Sequence, residues 1–128
     1  MERKKVVFIS GPIEGVAKYW EAFEQAEEDL DSLGYIPLSP SRLPGGLTNE
    51  QYMKICTAMI DSADAVLLLP NWDKSKGSLL ERHYCEYTGK PYIKYEKIST
   101  RDPLSRIESP RLVTLAWLEN DLKEVLGE

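Results

Sequence analysis

Apolar positions follow two periodicities along this chain. Short apolar runs at residues 6–9, 35–38, 63–69 and 91–95 are typical of β-strands. Between and after them, apolar residues recur every three or four positions over 17–33, 49–62, 78–88 and from 109 to near the C-terminus, which predicts four helices. The alternation of strands and helices predicts an α/β fold with a doubly wound, mostly parallel sheet and right-handed crossovers.

Local signals refine these elements. Gly34 and Gly89 stand where the first and third helices should stop, and Pro37 favours an edge or an end for the second strand. The unbroken apolar run at 63–69 is typical of a strand buried on both faces. Residues 97–108 form a polar linker, so we expect one α/β domain over 1–96 and a linker with a C-terminal helix over 97–128.

The C-terminal helix carries an apolar stripe. Its members are Leu112, Leu115, Leu118, Leu122 and Leu126. The stripe could pack on the domain's own sheet or on a partner, and an interaction domain is therefore one hypothesis. We expect it to pack on the same domain.

Composition narrows the function classes. The 128 residues suit one domain, and the net charge of −5 argues against binding a nucleic acid polymer. No apolar stretch approaches the ~20 residues that cross a bilayer, and no signal-peptide pattern is present. Cys56 and Cys85 have no metal-like spacing, which favours a reduced, cytoplasmic setting without metal or cofactor. A single histidine, His83, leaves little for a Ser-His-Asp triad.

Candidate chemistry lies after the third predicted strand. A polar loop from Trp72 leads to a helix whose predicted first turn contains Glu81. There the helix dipole would favour an ionised carboxylate, and an ionised carboxylate beside a ligand crevice suits nucleophilic glycoside chemistry. Alternatively, Ser78 and Glu81 form a capping box, a geometry that would also place the carboxylate at the crevice.

The neighbouring polar residues have two interpretations each. The turn at 11–15 could offer backbone N–H groups to a ligand or be a plain tight turn, and it matches neither G-x-G-x-x-G nor a Walker A loop. Ser75, Gly77 and Ser78 could bind a sugar or phosphate or be solvated. Trp72 could stack on a base or cover the core edge.

Three motifs together carry a resemblance. Residues 9–15, 64–66 and 72–81 resemble the nucleoside 2-deoxyribosyltransferase-like superfamily, and within it the DUF4406 branch, over about residues 5–95. The resemblance implies a flavodoxin-like Rossmann fold with three α/β/α layers and four to five strands. It also implies cleavage of an N-glycosidic bond in a nucleoside or nucleotide, with Glu81 attacking C1′ and no cofactor. Family members usually form dimers or larger oligomers.

The same resemblance implies the binding residues. The expected substrate-binding set is Ser10, Gly11, Pro12, Ile13, Gly15, Trp72, Asp73, Ser75, Gly77 and Ser78. Two positions depart from the family pattern. Cys56 stands where an aspartate assists the leaving base, and Glu14 stands where monophosphate-cleaving members have an arginine. Glu14 would repel a 5′-phosphate, which favours a nucleoside or another ribosyl-like ligand. Cys56 leaves a catalytically inactive nucleotide-binding or sensing module as the alternative to an enzyme.

Overall fold

A computed structural model describes residues 3–95 and 110–128, with side chains from residue 114 onward in the second range. The predicted linker at 97–108 lies outside these residues. The described strands are β1 (Val6–Ser10), β2 (Ile36–Leu38), β3 (Ala65–Leu68) and β4 (Tyr92–Lys94). The described helices are α1 (Tyr19–Ser32), α2 (Asn49–Ser62), α3 (Lys76–Thr88) and α4 (Pro110–Leu126), with 3-10 turns at Pro40–Arg42 and Trp72–Lys74.

The four described strands form one parallel sheet in the order β2-β1-β3-β4. This order, with helices on both faces, is the flavodoxin-like arrangement. The predicted fold class is therefore confirmed, and β2, which contains Pro37, is an edge strand as predicted.

Strand alternation divides the core in two. Val7, Ile9 and Leu67 point to one face, where they pack with α1 and α4. Phe8 and Val66 point to the other face, where they pack with α2 and α3. Because side chains alternate at every residue of a strand, each β1 position is assigned to one of these two layers.

The C-terminal helix packs on the first of these layers. Leu118 and Leu122 are buried in the same cluster as the β1 and α1 side chains, and Leu126 lies against it. Leu115 is half-buried, while the side chain of Leu112 is outside the described set. The stripe therefore meets the chain's own sheet.

Asp64 ties the amino ends of two strands together. Its carboxylate accepts hydrogen bonds from the backbone N–H of Val6 at 2.7 Å and from Arg3 at 2.7 and 2.9 Å. The hydrogen bond from Arg3 outweighs partial burial and lowers the pKa of Asp64 to about 2. Asp61, at the end of α2, accepts a hydrogen bond from the hydroxyl of Tyr84 at 2.6 Å. Both therefore have structural partners.

Candidate functional site

The loops after β1 and β3 meet at one edge of the sheet. The two strands are adjacent and parallel, and Ser10 pairs with Leu68 at their carboxyl ends. The N–H of Leu69 donates to the carbonyl of Ser10 at 2.8 Å. Open α/β sheets bind ligands at this carboxyl edge.

Glu81 and Ser10 form the polar centre of this edge. Ser10 follows Phe8 by two positions, so its side chain faces the α2–α3 layer. Its hydroxyl donates a 2.6 Å hydrogen bond to Oε1 of Glu81. Ser10 is 0% exposed and Glu81 5% exposed. The sheet therefore fixes one oxygen of a carboxylate that is almost wholly withdrawn from water.

The start of α3 differs from the sequence prediction. The helix begins at Lys76, and Ser75 is its N-cap, with its hydroxyl accepting from the N–H of Ser78 at 3.3 Å. The predicted capping box of Ser78 and Glu81 is wrong, because the helix begins before Ser78. The backbone N–H of Ser78 already donates to the hydroxyl of Ser75, which is the N-cap. Glu81 consequently lies in the second turn, where the macrodipole has already weakened.

Burial sets the charge preference of Glu81. Removal from water raises its pKa to about 7, against the opposing effect of hydrogen bonds from Ser10 and Cys56. The prediction that helix position would favour the ionised form is wrong, since desolvation of a carboxylate outweighs both donors here.

Cys56, which the resemblance puts at the position of the family aspartate, and Tyr52, which the sequence analysis did not single out, both lie near this carboxylate. Cys56 is 0% exposed, and burial followed by the charge of Glu81 raises its pKa to about 12. Burial, followed by the effects of Cys56 and Glu81, raises the phenol pKa of Tyr52 well above its usual range. The spacing of four residues between Tyr52 and Cys56 shows that they share a helix face. The resemblance indicates a site position for Cys56, whereas no sequence signal does so for Tyr52.

The glycine turn after β1 has its own structural causes. A Cβ on Gly11 would lie 2.8 Å from Cδ1 of Leu69, so this position has no room for a side chain. Gly15 has a φ of +75°, which disfavours other residues. Pro12 and Ile13 are half-buried, and Ile13 packs against the α1–α4 layer. A ligand-binding role for the turn, Ser10 included, stays a prediction.

Packing constrains the residues at the start of α3 less than it constrains the glycine turn after β1. Among the described residues, the buried Oγ of Ser78 has no hydrogen-bond partner, although Ser78 is only 1% exposed. A Cβ on Gly77 would meet only Ser75 Oγ, at 3.9 Å, so packing does not require glycine there. Asp73 is exposed in the preceding 3-10 turn. Substrate contacts by these residues also stay predictions.

Trp72 is already engaged by neighbouring cations. The guanidinium carbon of Arg82 and Nζ of Lys94 each lie 5.4 Å from its ring centroid, within cation–π range. The half-buried ring also packs against the α2–α3 layer. The ring of Trp72 therefore covers the edge of the core, which is one of its two predicted roles. Stacking on a base stays a prediction.

Neither metal ligands nor a membrane helix is found in the described part of the chain. Within residues 3–95 and 110–128, no three His, Cys, Asp or Glu side chains gather as a metal site would require. None of the helices in those ranges is long and apolar enough to span a membrane. His83 is exposed on α3.

The fold and site together define a class: a flavodoxin-like α/β protein with a buried glutamate at the carboxyl edge of its sheet. Within that class the particular family is shown by the sequence. The chain belongs to the DUF4406 family, a domain of unknown function whose model matches residues 5–95. No curated protein matches the chain.

Two solved structures share the fold. One is a 2-deoxyribosyltransferase from the psychrotolerant bacterium Bacillus psychrosaccharolyticus, with a TM-score of 0.57 and 20% identity over 70% of each chain. The other is a 2-deoxyribosyltransferase from Leishmania mexicana, with a TM-score of 0.56 and 18% identity over 81% of this chain and 75% of that one. The likeness bears out the predicted nucleoside 2-deoxyribosyltransferase-like fold.

Proposed function

We propose that this protein cleaves the N-glycosidic bond of a nucleoside or nucleotide, or transfers its deoxyribosyl group, through Glu81 as nucleophile. The single observation that carries the proposal is the position of Glu81, a buried carboxylate at the carboxyl edge held by Ser10 at 2.6 Å. The activity named for both structural neighbours is of the same class.

The proposed reaction has two steps. In the first, an oxygen of ionised Glu81 bonds to C1′ as the C1′–N bond breaks, and the electron pair leaves with the base, which takes a proton from solvent. In the second, water or another base attacks C1′, the ester to Glu81 breaks, and the attacking group loses a proton to solvent. Retention through a covalent intermediate is the outcome expected of a carboxylate nucleophile.

Burial gives this mechanism a definite pH dependence. Only the ionised form of Glu81 can attack, and its pKa is raised to about 7. The rate should therefore rise as the pH increases through 7. A general acid at the same position would give the opposite slope, because it must carry its proton.

The surrounding residues suggest the substrate. Ser75, Gly77 and Ser78 at the start of α3 are proposed to bind the sugar, and Trp72 to contact the base. Glu14 is exposed on the turn after β1, where its charge would repel a 5′-phosphate. A nucleoside is therefore the preferred substrate. We propose further that the chain acts in the cytoplasm as a homodimer or larger oligomer, with residues 1–96 as the catalytic unit.

A panel of nucleosides and 5′-monophosphates, with free base detected by mass spectrometry, tests the proposal. Wild-type protein should release base, and Glu81→Gln should lower release by at least about a thousandfold. Glu86→Gln is the matched control, because Glu86 lies on the same helix and pairs with Arg82 at the surface. Undiminished release by Glu81→Gln would overturn the mechanism.

One observation favours a second function, that of a nucleotide-binding module without turnover. The thiol of Cys56, with its pKa of about 12, cannot protonate a leaving base as a carboxylic acid could. Calorimetry with the same panel distinguishes the two functions. Binding of a compound that is recovered intact would support the module, and release of its base would reject it.

A further inference from the structure

We infer that Arg82 and Lys94 bind the carbonyl edge of the substrate's base and stabilise the negative charge that the base carries as it leaves the sugar. The inference rests on the proposed function, because it concerns the group that Glu81 would displace. It names the substrate class: nucleosides of oxo-bases, such as uracil or hypoxanthine, in preference to those of the amino-bases cytosine and adenine.

Lys94 lies at the same edge and on the same sheet face as the proposed nucleophile. Ser10 pairs with Leu68, and Leu68 pairs with Lys94, across three adjacent strands at their carboxyl ends. Paired residues of parallel strands project to the same face, so Lys94 extends from the face on which Ser10 holds Glu81 at 2.6 Å. The Cα atoms of Ser10 and Lys94 are two strand spacings, about 10 Å, apart, which one nucleoside can span.

The indole ring of Trp72 gathers two cations at this edge. Cζ of Arg82 and Nζ of Lys94 each lie 5.4 Å from the ring centroid. Arg82 directly follows Glu81 on α3, and Trp72 lies in the segment between β3 and that helix. Since Trp72 is the residue proposed to contact the base, a base bound there has a guanidinium and an ammonium group as neighbours.

Both cations have donors that the protein does not use. Arg82 donates through Nη1 to Glu86 at 2.6 Å, whereas its Nη2 and its buried Nε have no hydrogen-bond partner among the described residues. Nζ of Lys94 contacts the Trp72 ring and pairs with no carboxylate within residues 3–95 and 110–128. Donors without acceptors are unfavourable in a partly buried cluster, so an acceptor brought by a ligand would stabilise this arrangement.

The cluster of Arg82, Lys94 and Glu86 has a net positive charge. Its two cations face one carboxylate, and that carboxylate also accepts a hydrogen bond from the hydroxyl of Tyr92 at 2.9 Å. The whole chain, by contrast, has a net charge of −5. Fixed positive charge at this position favours a ligand atom on which negative charge develops.

The leaving base needs such stabilisation in this protein. Cys56 stands where the family has an aspartate, and its buried thiol cannot replace a carboxylic acid. When the C1′–N bond breaks, the electron pair passes to the ring nitrogen and, in an oxo-base, spreads onto the carbonyl oxygens. Arg82 and Lys94 donate hydrogen bonds to those oxygens and keep their own protons, and the departed base then takes a proton from solvent.

The same donors discriminate between bases. Arginine and lysine side chains can only donate hydrogen bonds, so they accept nothing from the exocyclic amino group of cytosine or adenine. An amino group placed against them is repelled and gives up its own hydrogen bonds to water, which disfavours the amino-base nucleosides.

Two nucleosides that differ at one exocyclic group provide a matched experiment. For 2′-deoxyuridine, Lys94→Met and Arg82→Gln should each lower kcat/KM of base release about ten- to a hundredfold, and for 2′-deoxycytidine less than about threefold. Lys94→Arg keeps the charge and should recover most of the loss. Lys123→Met is the control and should change neither rate, because Lys123 lies on α4 over the other sheet face and pairs with Glu119 at 3.3 Å.

A third nucleoside separates charge stabilisation from a merely structural effect. The base of 5-fluoro-2′-deoxyuridine leaves more readily as an anion, so Lys94→Met should lose less rate with it than with 2′-deoxyuridine. Equal losses for both nucleosides would overturn the role of Lys94 in stabilising the leaving base.

Binding to Glu81→Gln separates this inference from the proposed function, since that variant lacks the nucleophile. Calorimetry should show 2′-deoxyuridine binding at least about tenfold more tightly than 2′-deoxycytidine, and adding Lys94→Met should remove the difference. Equal affinities, or a preference that survives Lys94→Met, would overturn the inference. If wild-type protein releases no base while the preference is present and requires Lys94, the proposed function and the charge stabilisation fail, and the recognition of the base stands.

Discussion

At the scale of single residues, Glu81 shows how burial overrides helix position. A carboxylate near the start of a helix usually gains from the dipole, yet this one is almost wholly buried and accepts a hydrogen bond from the hydroxyl of Ser10. That donor supplies no positive charge. The folded protein therefore favours the protonated form more strongly than the unfolded chain does.

This preference predicts a stability gain on removing the charge. The pKa of Glu81 is about 7 in the folded state and near 4.5 when unperturbed, so its stabilising proton is fully bound below pH 4.5 and is lost as the pH rises through 7. Glu81→Gln, which can still accept from Ser10, should be more stable than wild type at pH 8 by on the order of 3 kcal/mol.

Urea unfolding at pH 8 and at pH 5.5 measures the effect. The advantage of Glu81→Gln should shrink at the lower pH, where wild-type Glu81 is mostly protonated. Glu86→Gln, at the exposed surface, should show no comparable gain. A variant less stable than wild type at pH 8 would contradict the account of a buried, uncompensated carboxylate.

The sequence could point to Glu81, to Ser10 and, through the family resemblance, to the position of Cys56, but not to Tyr52. A glutamate shortly after an apolar strand and a glycine-containing loop is visible in the chain. The placement of Tyr52 near Glu81 depends on how α2 is rotated over the sheet, which the 3.6-residue period leaves undetermined. The sequence equally could not predict that Gly11 is required by its contact with Leu69.

At the scale of elements, α3 begins at the earlier of two serines three residues apart. Ser75 and Ser78 both suit an N-cap, and the choice depends on which lies at the end of the preceding 3-10 turn. The 3-10 turn at Trp72–Lys74 ends at Ser75, whose backbone is extended, and this conformation lets Ser75 act as the N-cap of α3. N-cap propensity alone does not distinguish Ser75 from Ser78.

Alanine variants of the two serines test this start. Ser75→Ala should lower the free energy of unfolding by about 1 kcal/mol, because it removes the hydroxyl that accepts from the N–H of Ser78. Ser78→Ala should change it by less than about 0.5 kcal/mol, since its Oγ has no partner among the described residues. Chemical denaturation measures both, and a larger loss at Ser78 would restore the originally predicted cap.

At the scale of the whole molecule, the sequence predicted the fold well and for a physical reason. Four apolar runs separated by segments of helical periodicity favour a parallel sheet whose two faces are covered by helices. The continuous run at 63–69 contains β3, one of the two inner strands of the described sheet, and the proline-containing run contains the edge strand β2. The fate of the leucine stripe stayed open because an apolar helix face fits a partner as well as its own sheet.

The observed packing of α4 makes a quantitative prediction. Leu122 is fully buried against the α1–α4 layer, so Leu122→Ala should cost about 2–5 kcal/mol of unfolding free energy. Leu80→Ala is the control, because Leu80 is 56% exposed and its truncation should cost less than about 0.5 kcal/mol. Equal, small losses for both variants in denaturant unfolding would show that α4 does not belong to the core.

The central claim is that Glu81 bonds covalently to the sugar carbon. Intact-protein mass spectrometry of acid-quenched protein, after mixing with a nucleoside whose base is released, tests it most directly, followed by peptide mapping of the modified residue. We expect an added pentosyl mass on Glu81 of the wild-type protein that is absent from Glu81→Gln. Base release in which Glu81→Gln turns over as fast as wild type, with no adduct on either protein, would contradict it.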